Sequence, residues 1–352
     1  MADPVTDDDG DVVVPRRVLG LDAARGLAVV AMVIAHGVPF ISERVSTSGA
    51  FVLNQINDLA SPLFVLVMGV AAGLVFDRGS ATRGIGRATV RGVALIALGV
   101  GLEQLNHWVA VILHILGLLL IVGTPLLVLG TRWMVAIAAA LFVGSPWVIE
   151  AVTRAGGGVA GSVATTADWA ANPLVQWLVT NTHYRVLTLL PLFLVGAVLA
   201  RRGLGDARAS WWCALGGLTL LWASFAAELL GHPVVFSGDH PDQVQENGLA
   251  LAAYGIVMAV DIAAGRRPAV YAVLRPLSLV GQVALSLYVF HVVLLVPLIP
   301  RFPEGGWLPF GLLLAVALVT SWAWARFIGR GPVELLIDAL SPARRPRAPV
   351  GA

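Results

Sequence analysis

Residues 109–129 read VAVILHILGLLLIVGTPLLVL, a run of 21 residues without a charged side chain. A helix of that length rises about 30 Å, which matches the thickness of the hydrocarbon core of a bilayer. The run is too long for a strand of a membrane barrel, which has about ten residues of alternating polarity. The stretch therefore predicts an α-helix that crosses a membrane.

Similar apolar segments recur along the chain, and we expect about ten transmembrane helices. Their expected limits are 19–40, 57–76, 85–102, 109–129, 133–150, 184–200, 209–230, 248–264, 276–299 and 307–328. Of the 352 residues, 58% are hydrophobic and only 12% are charged, whereas a soluble globular protein carries roughly 25% charged residues. The sequence therefore predicts an all-α, polytopic membrane helical bundle and excludes a soluble enzyme.

The arginines indicate how the bundle is oriented. All 23 lysine-or-arginine positions are arginine, and they concentrate in every second connection between the expected spans. Short cytoplasmic loops carry such a positive excess. Both termini are therefore expected in the cytoplasm, with the protein in the inner (plasma) membrane of the cell.

The two ends of the chain differ from the spans in composition. Residues 1–16 contain five aspartates and are expected to be a disordered acidic tail, since a signal peptide would begin with positive charge. Residues 335–352 end in a Pro- and Arg-rich run and are expected to be a cytoplasmic C-terminal tail. Residues 17–334 are expected to form a single transmembrane domain.

The first span carries ionisable side chains along one face. Arg25 and His36 project within about 20° of each other and lie ~16 Å apart along the helix axis, and Asp22 falls about 40° from the same line. Ionisable groups inside a span are costly, so a functional role is the default interpretation. The alternative is a local pair between Asp22 and Arg25, with His36 at the membrane interface.

All seven histidines fall in the outer half of the expected topology. They are His36, His107, His114, His183, His232, His240 and His291. Asp58, which opens the second span beside the Ser61-Pro62 break, lies at the same level. Imidazoles titrate near neutrality and serve as general bases, so this grouping indicates proton-transfer chemistry at the outer side.

Neither a metal site nor a dinucleotide fingerprint is indicated. Zinc needs three or four converging ligands, and the chain has no HExxH motif and no paired Cys/His spacing. Gly84, Gly86 and Gly92 do not follow a strand. The neighbouring Arg87 and Arg91 are suited to hold phosphates, although orientation by the positive-inside effect explains them without a ligand.

Several segments resemble a known family. Residues 17–36, RVLGLDAARGLAVVAMVIAH, and 58–69, DLASPLFVLVMG, resemble the heparan-alpha-glucosaminide N-acetyltransferase catalytic-domain family. That family belongs to a wider transmembrane acyltransferase superfamily, which includes the acyltransferase type three proteins. Residues 190–196, 279–291 and 331–334 are similar to bacterial inner-membrane proteins of the same superfamily.

The resemblance implies transfer of an acetyl or other acyl group from cytoplasmic coenzyme A to an acceptor on the far side. In acyltransferase type three members, a histidine stands at the position of His36 and an arginine at that of Arg25. Heparan-type members often have asparagine at the former position and use a histidine in a Lys-His-Ala-x-Trp segment after the first span. Residues 42–57, the corresponding stretch, contain no histidine, which leaves His36 as the leading candidate.

Residues and resemblance together predict two sets of site residues. The set expected to hold the phosphates of the donor is Asp22, Arg25, Arg87 and Arg91. The set expected at the catalytic centre is His36, Asp58, His183 and His291. His36 is expected to act as a base or to become acylated itself, and one of the other three is expected to orient it.

The expected partners follow from this assignment. They are acetyl-CoA or another acyl-CoA as donor substrate, a carbohydrate or other acceptor at the outer face, and the lipid bilayer; neither a metal nor nucleic acid is expected. The chief alternative is a proton-coupled secondary transporter, since intramembrane titratable groups serve that role too. The absence of a visible internal repeat disfavours it. A purely structural role is the third reading.

Overall fold

The computed structural model describes residues 19–76, 80–162, 166–264 and 267–340, and this part of the chain is helical without strands. The helices are α1 (Leu19–Gly37), α2 (Thr47–Val75), α3 (Ala81–Glu103), α4 (Leu113–Leu126), α5 (Thr131–Ala155), α6 (Pro173–Val175), α7 (Val186–Arg202), α8 (Ala207–Leu229), α9 (His240–Ala264), α10 (Pro268–Gln282), α11 (Ala284–Arg301), α12 (Trp307–Phe327) and α13 (Pro332–Leu340). The expected tail at 1–16 lies outside the described residues, as do the last twelve residues of the expected C-terminal tail.

Eight of the described helices are long and apolar enough to cross a membrane, namely α1, α2, α3, α5, α8, α9, α11 and α12. The apolar helix α4 is shorter, with 14 residues. Large apolar side chains such as Trp212 and Trp222 are more than 70% exposed, as expected where helices face lipid rather than water. The expected helical membrane bundle is confirmed.

Helix boundaries differ from the expected ones at several places. Helix α2 begins ten residues before the expected start at 57, because Ser46 caps it by accepting a hydrogen bond from the N–H of Gly49. The segment expected as one span at 276–299 breaks at Val283 into α10 and α11. Residues 335–340, expected in the tail, belong to α13.

Glycines permit the closest helix crossings. A Cβ atom on Gly26 of α1 would lie 1.9 Å from the carbonyl oxygen of Leu277 in α10. One on Gly69 of α2 would lie 2.1 Å from the carbonyl oxygen of Phe193 in α7. Small residues at such positions let helix backbones approach and pack in a membrane. These crossings fix α1 and α2 in the bundle.

Helix α1 lies in the middle of the bundle, packed against α2, α9, α10, α11 and α12. Its buried face is mostly alanine, glycine and valine. Arg25 lies in its second turn and His36 in its last. We call the end of the bundle at Arg25 the arginine end and the opposite end the histidine end.

Candidate active site

Two histidines meet at the histidine end although 255 residues separate them. The Nδ1 atom of His36 lies 2.8 Å from the Nε2 atom of His291 in α11. The rings are stacked, with centroids 5.1 Å apart and planes inclined by 18°. His291 is fully buried, and the ring of Tyr288 meets it edge-on at 5.4 Å. The pair is therefore held in one geometry by packing as well as by its hydrogen bond.

The hydrogen bonds assign the protons of this pair. The carbonyl oxygen of Leu287 lies 3.0 Å from Nδ1 of His291 and can only accept, so Nδ1 carries a proton. Nε2 of neutral His291 is then an acceptor, and Nδ1–H of His36 donates to it. The lone pair of neutral His36 lies on its Nε2 atom, which makes no hydrogen bond to any described residue. Nε2 of His36 is therefore the nitrogen of the pair that is available as a proton acceptor.

The connection between α3 and α4 covers the histidine pair. The indole N–H of Trp108 donates to the carbonyl oxygen of His36 at 3.0 Å. Nε2 of His107 lies 3.2 Å from the carbonyl oxygen of Val292, while its Nδ1 accepts from the N–H of Val109. The connection is therefore fastened to both helices that carry the pair.

Two adjoining cavities lie at the arginine end, with volumes of about 510 and 300 Å³. Arg87, Arg91 and Arg330 line the larger cavity, while Arg25 and Arg91 line the smaller. Both cavities share Arg91 and Asp338, so they lie side by side. Three of the four side chains expected to hold the donor therefore line these cavities.

The fourth side chain of that set has a different position. Asp22 does not line either cavity, and its carboxylate forms an ion pair with the guanidinium of Arg25 at 3.0 Å. This is the local pairing that the sequence left open as an alternative. Asp22 thus helps to position the arginine.

The smaller cavity also has apolar walls. Leu113 and Leu116 of α4 line it together with Leu285 of α11. Leu285 lies six residues before His291 on the same helix. The smaller cavity therefore combines charged and apolar side chains, and one of the apolar ones belongs to the helix that carries the buried histidine.

A family model described as an acyltransferase domain matches residues 18–326. The chain belongs to this acyltransferase family. The match covers α1 to α11 and nearly all of α12, and it supports the expected transmembrane acyltransferase superfamily but not the heparan-alpha-glucosaminide subtype within it. No curated protein matches the chain.

In this acyltransferase-family protein, Asp58 lies away from the histidine pair. One carboxylate oxygen accepts a hydrogen bond from the side chain of Gln245 in α9 at 2.9 Å, and the other accepts from Asn57. His183 precedes α7 with an exposed side chain, and the pKa of its imidazole is lowered by partial burial and by Arg185. No described hydrogen bond joins either residue to His36.

His114 also faces a different neighbour. Its ring is buried in the first turn of α4, with Nδ1 3.4 Å from a carboxylate oxygen of Glu103. The contact lies within ion-pair range, but its geometry does not make a hydrogen bond. The ring packs on Trp177 at a centroid distance of 4.8 Å. His114 therefore belongs to the packing between α3, α4 and the segment that precedes α7.

A second polar cluster lies between α7 and α9. Arg185 is 1% exposed and donates to the carbonyl oxygens of Thr182 and Ser237. Asp242 and Glu246 interact electrostatically with it but form no ion pair with it among the described residues. These two acids fall between the expected spans 209–230 and 248–264, whereas in the structure they lie in the first two turns of α9. Those turns are polar, so hydropathy does not indicate that they belong to the helix.

The described residues contain no group of three or more His, Cys, Asp or Glu side chains arranged to hold a metal ion. Charged groups nevertheless concentrate at defined places. Arginines surround the cavities at one end, and the histidine pair lies at the other. The arrangement is suited to holding an anionic molecule and moving a proton at separate points.

Proposed function

We propose that this membrane protein transfers an acyl group from acyl-CoA, bound at the arginine end, to an acceptor at the histidine end. The observation that carries the proposal is the hydrogen-bonded His36–His291 pair with the free Nε2 of His36. Membership of the acyltransferase family supports the reaction class. We further propose that the arginine end faces the cytoplasm of the cell, because the arginine-rich connections lie there.

The cavities support coenzyme A as donor. Arg25, Arg87 and Arg91 present guanidinium groups that bind phosphate oxygens through charge-assisted hydrogen bonds. The apolar walls beyond them suit the uncharged acyl-pantetheine arm. Between Arg25 and His36 the arm must span ~16 Å along α1.

His36 would act as the general base. As the acceptor oxygen or nitrogen attacks the thioester carbonyl, its proton passes to Nε2 of His36 and the carbon–sulfur bond breaks. The imidazolium then returns the proton to the departing thiolate. The bond from Nδ1–H to His291 stabilises this imidazolium and keeps Nε2 pointed at the substrate. In a two-step variant, Nε2 itself accepts the acyl group before the acceptor does.

The proposed acceptor is a hydroxyl or amine of a sugar or glycan at the outer face. The acyl group is acetyl or a longer chain that the apolar cavity accommodates.

Labelled transfer tests the proposal. Purified protein in lipid nanodiscs is incubated with coenzyme A carrying a radiolabelled acyl group and with outer-surface glycans as acceptors. We expect labelled glycan or labelled protein, and loss of both in His36→Ala. His232→Ala, in the exposed connection between α8 and α9, serves as a matched control and is expected to retain transfer. Full transfer by His36→Ala would contradict the assignment.

The polar cluster around the buried Arg185 favours a second candidate, a proton-coupled transporter. Acids beside an arginine within a helical bundle occur along ion pathways in membranes. Proteoliposomes with a pH-sensitive dye distinguish the two functions. Proton uptake driven by a solute gradient, without thioester cleavage, would favour transport.

A further inference from the structure

The side chain of Asp338 in α13 lies between two of the cavity arginines. Its carboxylate forms ion pairs with Arg91 of α3 and with Arg330, the latter at 3.1 Å. All three side chains line the larger cavity. An acidic group thus occupies the position between two guanidinium groups where an anionic ligand would bind.

The two acidic side chains of α13, Glu334 and Asp338, are held very differently. Glu334 in its first turn accepts hydrogen bonds from the N–H groups of Leu285 and Ser286, which begin α11. The hydroxyl of Ser286 also donates to Glu334 and accepts from the N–H of Val333. Asp338, by contrast, is held by ion pairs whose side chains are 38–59% exposed. Exposed ion pairs are weak, so a ligand can displace the side chain of Asp338, while the buried Ile337 beside it keeps the helix in place.

We propose that Arg91 and Arg330 form a subsite for a phosphate group of the donor, and that Asp338 occupies this subsite in the free protein. This inference rests on the proposed function. Helix α13 follows residue 326, where the family match ends. Both the competing carboxylate and one of the two subsite arginines, Arg330, therefore lie outside the matched domain.

A phosphate group displaces the carboxylate for a physical reason. A guanidinium stays charged and presents five donors in a planar fork, which phosphate oxygens fill in a bidentate manner. A phosphate ester with two negative charges binds two arginines more strongly than a single carboxylate does. When the donor binds, Asp338 must leave or face the phosphate as a like charge.

Removal of the competing charge is the test. Binding of coenzyme A is measured by calorimetry in phosphatidylcholine nanodiscs, so that neither catalysis nor the acceptor enters. We expect Asp338→Asn to bind coenzyme A about 3- to 10-fold more tightly, which is the range set by two exposed ion pairs. We expect Arg330→Gln to bind it several-fold more weakly. Weaker or unchanged binding by Asp338→Asn overturns the proposal.

A matched control removes the same charge elsewhere at the arginine end. Asp206 caps α8 with its side chain, and asparagine caps equally well, so Asp206→Asn is expected to leave binding unchanged. Pantetheine, which lacks phosphate, is expected to bind wild type and Asp338→Asn alike. A gain in pantetheine binding would overturn the phosphate assignment.

Binding of soluble phosphatidylglycerol distinguishes the two possible sources of the phosphate, which are coenzyme A and a lipid headgroup. If the subsite takes a lipid headgroup, Asp338→Asn binds soluble phosphatidylglycerol more tightly while its affinity for coenzyme A stays unchanged, and the donor subsite is refuted. Coenzyme A binding that is insensitive to both Asp338 and Arg330 refutes the subsite alone. Absence of coenzyme A binding in every variant refutes the proposed donor as well.

Discussion

Replacement of His291 by alanine tests the role of the histidine pair most directly. The change removes the acceptor of the Nδ1–H bond of His36, which measures 2.8 Å and is part-buried, with His291 itself fully buried. An unsatisfied buried donor costs about 1–3 kcal/mol. The lost hydrogen bond would stabilise protonated His36 in the transition state, so its loss raises the activation free energy by that amount. The rate of acyl transfer should therefore fall roughly 10- to 100-fold. His36→Ala removes the base itself and should lose about 10²- to 10⁴-fold.

The assay follows label from acyl-CoA into membrane-bound acceptor in inverted vesicles, with kcat and KM determined separately. A positioning role predicts that His291→Ala lowers kcat and leaves the KM for the donor unchanged. His291→Gln offers an amide oxygen near the position of Nε2 and should recover most of the rate. Thermal unfolding of each variant in detergent shows whether the fold is retained. An unchanged kcat in a folded His291→Ala protein would refute the proton assignment.

Three further changes probe the other parts of the molecule. Gly26→Ala places a methyl group 1.9 Å from a backbone oxygen of α10 and should lower the unfolding temperature by several degrees, whereas Gly101→Ala has open space and should not. A stable Gly26→Ala protein would contradict the close crossing. Arg25→Gln should raise the KM for acyl-CoA several-fold with little change in kcat, and a pure loss of kcat would argue against donor binding. His183→Gln should retain transfer because its exposed ring makes no hydrogen bond to His36; an inactive but folded variant would place this residue in the reaction after all.

The sequence predicts the class of fold because long apolar runs must form helices in a bilayer. It does not predict where those helices end when polar turns extend them. Residues 47–56 of α2 and 240–247 of α9 carry polar side chains and are helical all the same. The break at Val283 has no signal in the sequence for the opposite reason, since apolar residues continue across it while the distant Glu334 accepts hydrogen bonds from N–H groups in the first turn of α11.

The candidate site was predictable only where one helix determines the geometry. Helical periodicity on α1 places Arg25 and His36 on one stripe, but it says nothing of which other helix faces them. His291 was one of three expected partners, and only the packing of α11 against α1 distinguishes it from Asp58 and His183. Asp338 carried no signal at all, because the sequence assigns it to a solvated tail.

The hydrogen-bond chain of the histidine pair ends at a backbone carbonyl, and this end decides what the chain can do with a proton. The oxygen of Leu287 accepts from His291 but has no proton of its own to pass on. A proton that reaches His36 therefore leaves through the same nitrogen that received it. A proton-conducting pathway needs a group at each end that can both accept and release a proton. The carbonyl of Leu287, at one end of these hydrogen bonds, can release none. The pair stores a proton for the length of one reaction and gives it back, which is the demand of group transfer and not that of proton conduction.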